Sequence, residues 1–198
     1  MKLYITTPSP FARKCRIVAR EKGLSDRIEE IAVDPYANAP ELLASNPIVQ
    51  VPTLIADDGL PITDSPVICD WLDAHGTGPR LVPIDGPDRW RVKRVETFGN
   101  AALDMGVKRV LELRRPQSER SPSWIARWTD HIHRALDALE ATEIDGTQLD
   151  MGSITAAVAV SWIEFRHPDI DWRTGRPRLV ALRDAMEQRP SFVATRPG

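Results

Sequence analysis

A change of hydrophobic period near residue 75 constrains this chain more than any other feature. Before it, short apolar runs alternate with helical spacing; after it, nearly every apolar residue falls on a helical face. Residues 2–6 read as a short buried strand. Residues 10–22 read as a helix on which Phe11, Cys15 and Val18 recur, closed by Gly23. Residues 28–33 suit a second strand, broken by Asp34-Pro35. Residues 53–56 suit a third strand, Asp57-Asp58-Gly59 a hairpin turn and Leu60 to Thr63 a fourth strand, before a helix over 65–75 that ends at Gly76. The order of elements predicts an α/β domain over residues 1–77.

Residues 76–87 carry Gly76, Gly78, Gly86, Pro79, Pro83 and Pro87 with little periodicity, so a linker is expected over 78–86. An all-helical domain is then expected over 87–198. Val95, Phe98, Ala102 and Met105 mark one amphipathic helix, and Ile125, Trp128, Ile132, Leu136 and Leu139 mark a second. Residues 151–165 are apolar nearly all round, which predicts a helix through the middle of its domain. Asp150 can cap it with Ser153 at the third helical position, and Pro177 can open a last helix carrying Leu179, Leu182 and Met186.

Composition excludes several functions. With 26 basic against 28 acidic residues, the formal charge of -2 gives no general attraction for nucleic acid or a membrane surface. The longest uncharged stretches, 42–56 and 151–163, fall short of the about 20 apolar residues a bilayer span needs. Two cysteines, Cys15 and Cys69, form no metal or redox motif and lie on apolar helical faces. With no apolar leader before Leu3, a reducing, cytoplasmic compartment is expected. No metal site is expected, because His131 and His133 stand two apart and face different ways, while His75 and His167 sit near helix ends, where they can bond carbonyls. The cluster Arg89, Arg91, Lys93 and Arg94 reads as a solvated face or subunit contact, and Trp124 and Trp128 read as core.

Chemistry concentrates in the first domain. Ser9 precedes Pro10 at the start of the first helix, where a hydroxyl either caps the helix or holds an anion against its free N–H groups. Arg13 and Lys14 add charge to the same turn. In Asn46-Pro47-Ile48-Val49-Gln50-Val51-Pro52-Thr53-Leu54, the proline suits an edge or a turn; if the bond before Pro52 is cis, it leaves the backbone of Val51 open to pair with an extended peptide. Asp64-Ser65-Pro66 opens a second helix. There Ser65 is a cap or a receiver of a carboxylate, with Asp64 placed for an ammonium group.

Taken together, Ser-Pro-Phe-Ala-Arg-Lys, Asn-Pro-x-x-x-Val-Pro-x-Leu, Asp-Ser-Pro-Val-Ile and the closing Arg189-Pro190-Ser191-Phe192 resemble the cytosolic glutathione S-transferases along the whole chain. The likeness is to bacterial members whose site begins Ser-Pro-Phe, and to omega-like members with Cys-Pro-Phe. The resemblance implies a thioredoxin-like α/β N-terminal domain followed by an all-α C-terminal domain. It implies Ser9 at the catalytic position, Val51 as the backbone partner of the cysteinyl unit of glutathione, and Asp64 with Ser65 at the γ-glutamyl site. It further implies a detoxifying, homodimeric transferase in which glutathione, ionised beside Ser9, attacks a small apolar electrophile at the mouth between the domains. The rival implications are a glutathione-binding regulatory module without chemistry and a glutathione-dependent lyase, isomerase or peroxidase. Val49 and Gln50 depart from the Gly and Lys of many members, so Gln50 donates without charge. Serine at position 9 cannot form a mixed disulfide, which argues against the redox exchange of cysteine-bearing relatives.

Overall fold

In the computed structural model, which describes residues 1–144 and 146–197, the N-terminal apolar run forms strand β1, Lys2–Ile5, in the interior of a four-stranded sheet. The strand order is β2 (Glu29–Ala32), β1, β3 (Thr53–Ile55), β4 (Pro61–Thr63). β2 runs parallel to β1, and helix α1, Pro10–Glu21, supplies the crossover that a parallel neighbour requires. β3 and β4 form an antiparallel hairpin beside β1, with Leu3, Leu54 and Ile62 in register and buried. The hairpin strands are shorter than their apolar runs suggest. At the turn Gly59 takes φ +86°, and the Leu60 N–H bonds to the Asp58 carboxylate (3.0 Å) instead of joining the ladder.

A short helix, α2 (Pro40–Ser45), was not visible in the periodicity; six residues hold too little of a helical repeat, and only Leu42 is buried. Helix α3, Ser65–His75, packs against α1, where Cys15 and Cys69 meet with their sulfurs 3.7 Å apart. At the far end of that pair Lys22 is buried and ion-paired to Asp73 (3.1 Å) while donating to the carbonyl of Pro79 (2.7 Å). A buried charge persists only with such partners. Residues 189–197 pack with this unit. Arg189 grips Glu21 of α1 through two bonds of 2.9 Å, and helix α8 (Pro190–Val193) buries Phe192. The Arg13 guanidinium lies over the Phe192 ring and donates to its carbonyl (3.3 Å).

The second unit, Val82–Gln188, is helical: α4 (Gly86–Arg114), α5 (Pro122–Glu140), α6 (Met151–Arg166) and α7 (Pro177–Met186). Residues 151–163 of α6 are all buried, as their uniform apolarity predicts. Asp150 and Ser153 form the reciprocal cap, the carboxylate accepting from the Ser153 N–H (2.7 Å) and the hydroxyl accepting from the Asp150 N–H (2.9 Å). α4 approaches α6 closely through Gly99 and Gly106; a Cβ on Gly106 would stand 2.7 Å from the Trp162 ring. Trp124 departs from its expected place in the core: it is half exposed and stacks on Trp128 at the surface, under Arg127.

His167, fully buried at the end of α6, ties that helix to α4. Arg109 can only donate, so its Nη1 gives a hydrogen to His167 Nδ1 (2.7 Å), and His167 Nε2–H donates to the Gly106 carbonyl (3.0 Å). The same guanidinium pairs with Asp169 and donates to Thr129 (3.0 Å). Burial first, and the Arg109 charge with it, push the imidazole below its ordinary 6.5, although the Gly106 bond acts the other way. A depressed folded value means the neutral ring contributes its full stability above about 6.5, and that contribution is lost as pH falls through the lower folded value. The urea midpoint is therefore expected to drop between about pH 7.5 and pH 5. His167→Gln, which keeps an acceptor and a donor but cannot titrate, should flatten the profile. An equally steep profile in that variant assigns the pH dependence elsewhere.

Candidate functional site

Register assembles the site. Tyr4 of β1 pairs with Thr53 of β3, which pairs with Thr63 of β4. The chain leaving β1 leads to Ser9, the chain entering β3 brings Gln50 and Val51, and the chain leaving β4 brings Asp64 and Ser65. The register thus brings the segments that carry all five residues singled out from the sequence to one end of the sheet.

Ser9 is half-buried and caps α1, its Oγ accepting from the Ala12 N–H at 3.2 Å. Capping uses the oxygen's lone pair and leaves the hydroxyl hydrogen without an acceptor among the described residues, so one hydroxyl can cap the helix and donate to an anion. Arg13 and Lys14 do not present charge to solvent in this turn; both side chains are buried. The Val51–Pro52 bond is cis, and Val51 is half-buried while Gln50 is exposed. Val49 takes φ +52°, a left-handed conformation that costs a residue with a Cβ about 1–2 kcal/mol. The position for which the resemblance implies glycine thus has a positive φ, with a valine in it.

Asp64 also lies in positive φ, at +71°, as the residue preceding α3; its exposed carboxylate makes no capping bond. Ser65 is almost wholly buried, yet its Oγ has no hydrogen-bond partner among the described residues. A buried hydroxyl without a partner among the described residues, at the start of a helix, can donate to an anionic group, and the exposed carboxylate beside it can accept from a cation. Beneath it the Cys15 thiol points to the Ser65 carbonyl (3.8 Å). Burial, then the Cys69 thiol, push Cys15 well above its ordinary range, so it stays a neutral packing group.

Asn46 and Thr53, both buried, were passed over in the sequence, although Asn46-Pro47 carries a turn signal that the structure uses: the Asn46 carbonyl oxygen of the side chain accepts from the Ile48 N–H (3.2 Å). Among the described residues no cluster of His, Cys, Asp and Glu is arranged to hold a metal, and no helix is long and apolar enough to cross a membrane.

Comparison with known proteins finds the glutathione S-transferase N-terminal domain over residues 8–75 and the glutathione S-transferase C-terminal domain over 122–185. The uncharacterized GST-like protein YibF of Escherichia coli is 33% identical over all of this chain and 98% of its own length. A glutathione transferase family member from Pseudomonas fluorescens Pf-5, solved with bound glutathione, superposes with a TM-score of 0.95 at 35% identity, over 100% of this chain and 98% of that one. Its structure with S-(propanoic acid)-glutathione gives 0.91 at 34%, with both chains covered in full.

A buried hydroxyl left unpartnered costs about 1–3 kcal/mol. Ser65→Ala is therefore expected to raise the melting temperature of the ligand-free protein by a few degrees, about 2–4 °C per kcal/mol for a chain of this size. Destabilisation by this substitution, read by calorimetry, would show that the hydroxyl is satisfied within the fold.

Proposed function

This chain belongs to the glutathione S-transferase family, and from that premise we propose that it binds glutathione and conjugates it to a small apolar electrophile. The observation that carries the binding half is the unpartnered Ser65 Oγ beside the free Asp64 carboxylate. The γ-glutamyl unit of glutathione offers the complementary pair, a carboxylate for Ser65 and the α3 N-terminus and an ammonium for Asp64. Glutathione found in the relative from Pseudomonas fluorescens supports the same ligand here. The backbone of Val51 pairs with the cysteinyl unit as a further strand would, and Gln50 donates to the glycyl end without charge.

The cysteinyl sulfur then lies by Ser9. A free thiol titrates near 8.5, so at neutral pH it is mostly protonated. A hydrogen bond from the Ser9 hydroxyl to the thiolate contributes about 1.5–3 kcal/mol and the α1 N-terminus about 0.3–1 kcal/mol more, enough to lower that value by roughly two units. The thiol proton leaves to solvent. The thiolate's electron pair forms the bond to an electrophilic carbon, and the leaving group departs with the electrons of the bond it breaks. Glutathione is the nucleophile, and Ser9 stays covalently unchanged. A cytoplasmic location and a homodimer are part of the same reading; the exposed apolar side chains of Leu60 and Val67, beside β4 and on α3, are in keeping with the homodimer.

Ser9→Ala should leave glutathione binding within a few-fold of the wild type and lower kcat with a chlorinated aromatic substrate by about 10–100-fold, the worth of one charge-assisted bond. Its pH profile should move toward that of free glutathione. Full activity in this variant would remove Ser9 from the mechanism, and no rise in melting temperature with millimolar glutathione in the wild type would reject the ligand.

A further inference from the structure

The segment between α2 and β3 contains a closed set of hydrogen bonds on a single carbonyl. Asn46, 1% exposed, and Thr53, wholly buried, both donate to the main-chain oxygen of Gln50, from Nδ2 at 3.1 Å and from Oγ1 at 2.8 Å. Asn46 Nδ2 also donates to Thr53 Oγ1 (2.9 Å), closing the triangle. Each corner is fixed independently. The Asn46 N–H bonds to Leu42 of α2 (2.7 Å), its side-chain oxygen receives the Ile48 N–H, its main-chain oxygen receives the Val49 N–H (2.9 Å), and Thr53 is a paired residue of β3.

Capture of that oxygen decides the direction of a different group. Across a trans peptide the C=O of one residue and the N–H of the next point opposite ways, and Gln50–Val51 is trans. With the Gln50 oxygen drawn inward onto two buried donors, the Val51 N–H must face outward. It makes no hydrogen bond to any described residue. Rotating this peptide by half a turn would leave the Thr53 hydroxyl hydrogen, one Asn46 N–H and the carbonyl without these partners in the interior, a costly loss.

We propose that Asn46 and Thr53 are positioning residues for ligand binding: by capturing the Gln50 carbonyl they lock the Gln50–Val51 peptide with its N–H turned out, ready to bond a carbonyl of the bound peptide's cysteinyl unit. The inference rests on the glutathione reading above. It gives Thr53 a role that its place in a strand does not suggest, and it explains how a loop with valine in a glycine-like conformation at position 49 keeps one orientation.

Substitution of Thr53 tests it with little change of volume. Thr53→Ser keeps the hydroxyl; Thr53→Val keeps the shape and removes the donor. In ligand-free wild type and Thr53→Ser, the Val51 amide is expected to exchange with solvent at the unprotected rate, and glutathione should shift its NMR signal and protect it. Thr53→Val should raise the glutathione Kd about tenfold at a temperature where the variant remains folded, the cost of one poorly placed hydrogen bond, with no protection of Val51. Asn46→Ala should do the same. A Val51 amide already protected in the free protein overturns the loop inference by itself, as does wild-type affinity in folded Thr53→Val. A wild type that binds no glutathione instead overturns the ligand reading on which the inference depends.

Discussion

Pairing of Tyr4 with Thr53, and of Thr53 with Thr63, sets where the functional groups of the first unit can be. A strand's side-chain period is two, so a slip of one residue would turn Leu54 and Ile62 out of the core and carry Val51 and Asp64 away from the end of β1. The burial of Leu3, Leu54 and Ile62 in one row fixes that register by the same contacts that build the core. Site and fold are specified together: the apolar alternation that makes the hairpin also brings three separated segments to one end of the sheet.

The interior then treats polar groups in two ways. Lys22 with Asp73, Arg109 with His167, and Asn46 with Thr53 are buried and mutually bonded, so each pins one piece of backbone or one helix to another. Ser65 is the contrary case. Its hydroxyl is as deeply placed as these groups, yet it lacks a partner among the described residues, and the residue before it holds a strained positive φ with its carboxylate free. At Lys22, Arg109 and Asn46 the fold meets the cost of desolvation internally; at Ser65, among the described residues, it does not, and under the proposed function a ligand offsets that cost.

Much of this was legible in the sequence because local signals and tertiary needs agree. Period-two and helical runs gave the strands and long helices, Asp150 with Ser153 gave a cap, and the hydroxyl-proline pairs at Ser9 and Ser65 marked helix starts. What escaped depends on contacts distant in the chain. Arg13 reads in the sequence only as added charge in the first turn of α1, but residue 192 covers it, and no local pattern announces a partner so far along the chain. Trp124 looked like core because spacing places a residue on a face without saying what lies opposite. α2 was too short for a repeat, and Asn46 with Thr53 act through a main-chain oxygen that carries no sequence signal at all.

If glutathione completes the site at the starts of α1 and α3, as proposed, a crystal structure of the chain with glutathione will show it there. The expected density puts the γ-glutamyl carboxylate on Ser65 Oγ and the sulfur within hydrogen-bonding distance of Ser9 Oγ. Glutathione bound with its carboxylate away from Ser65, or its sulfur away from Ser9, would contradict it.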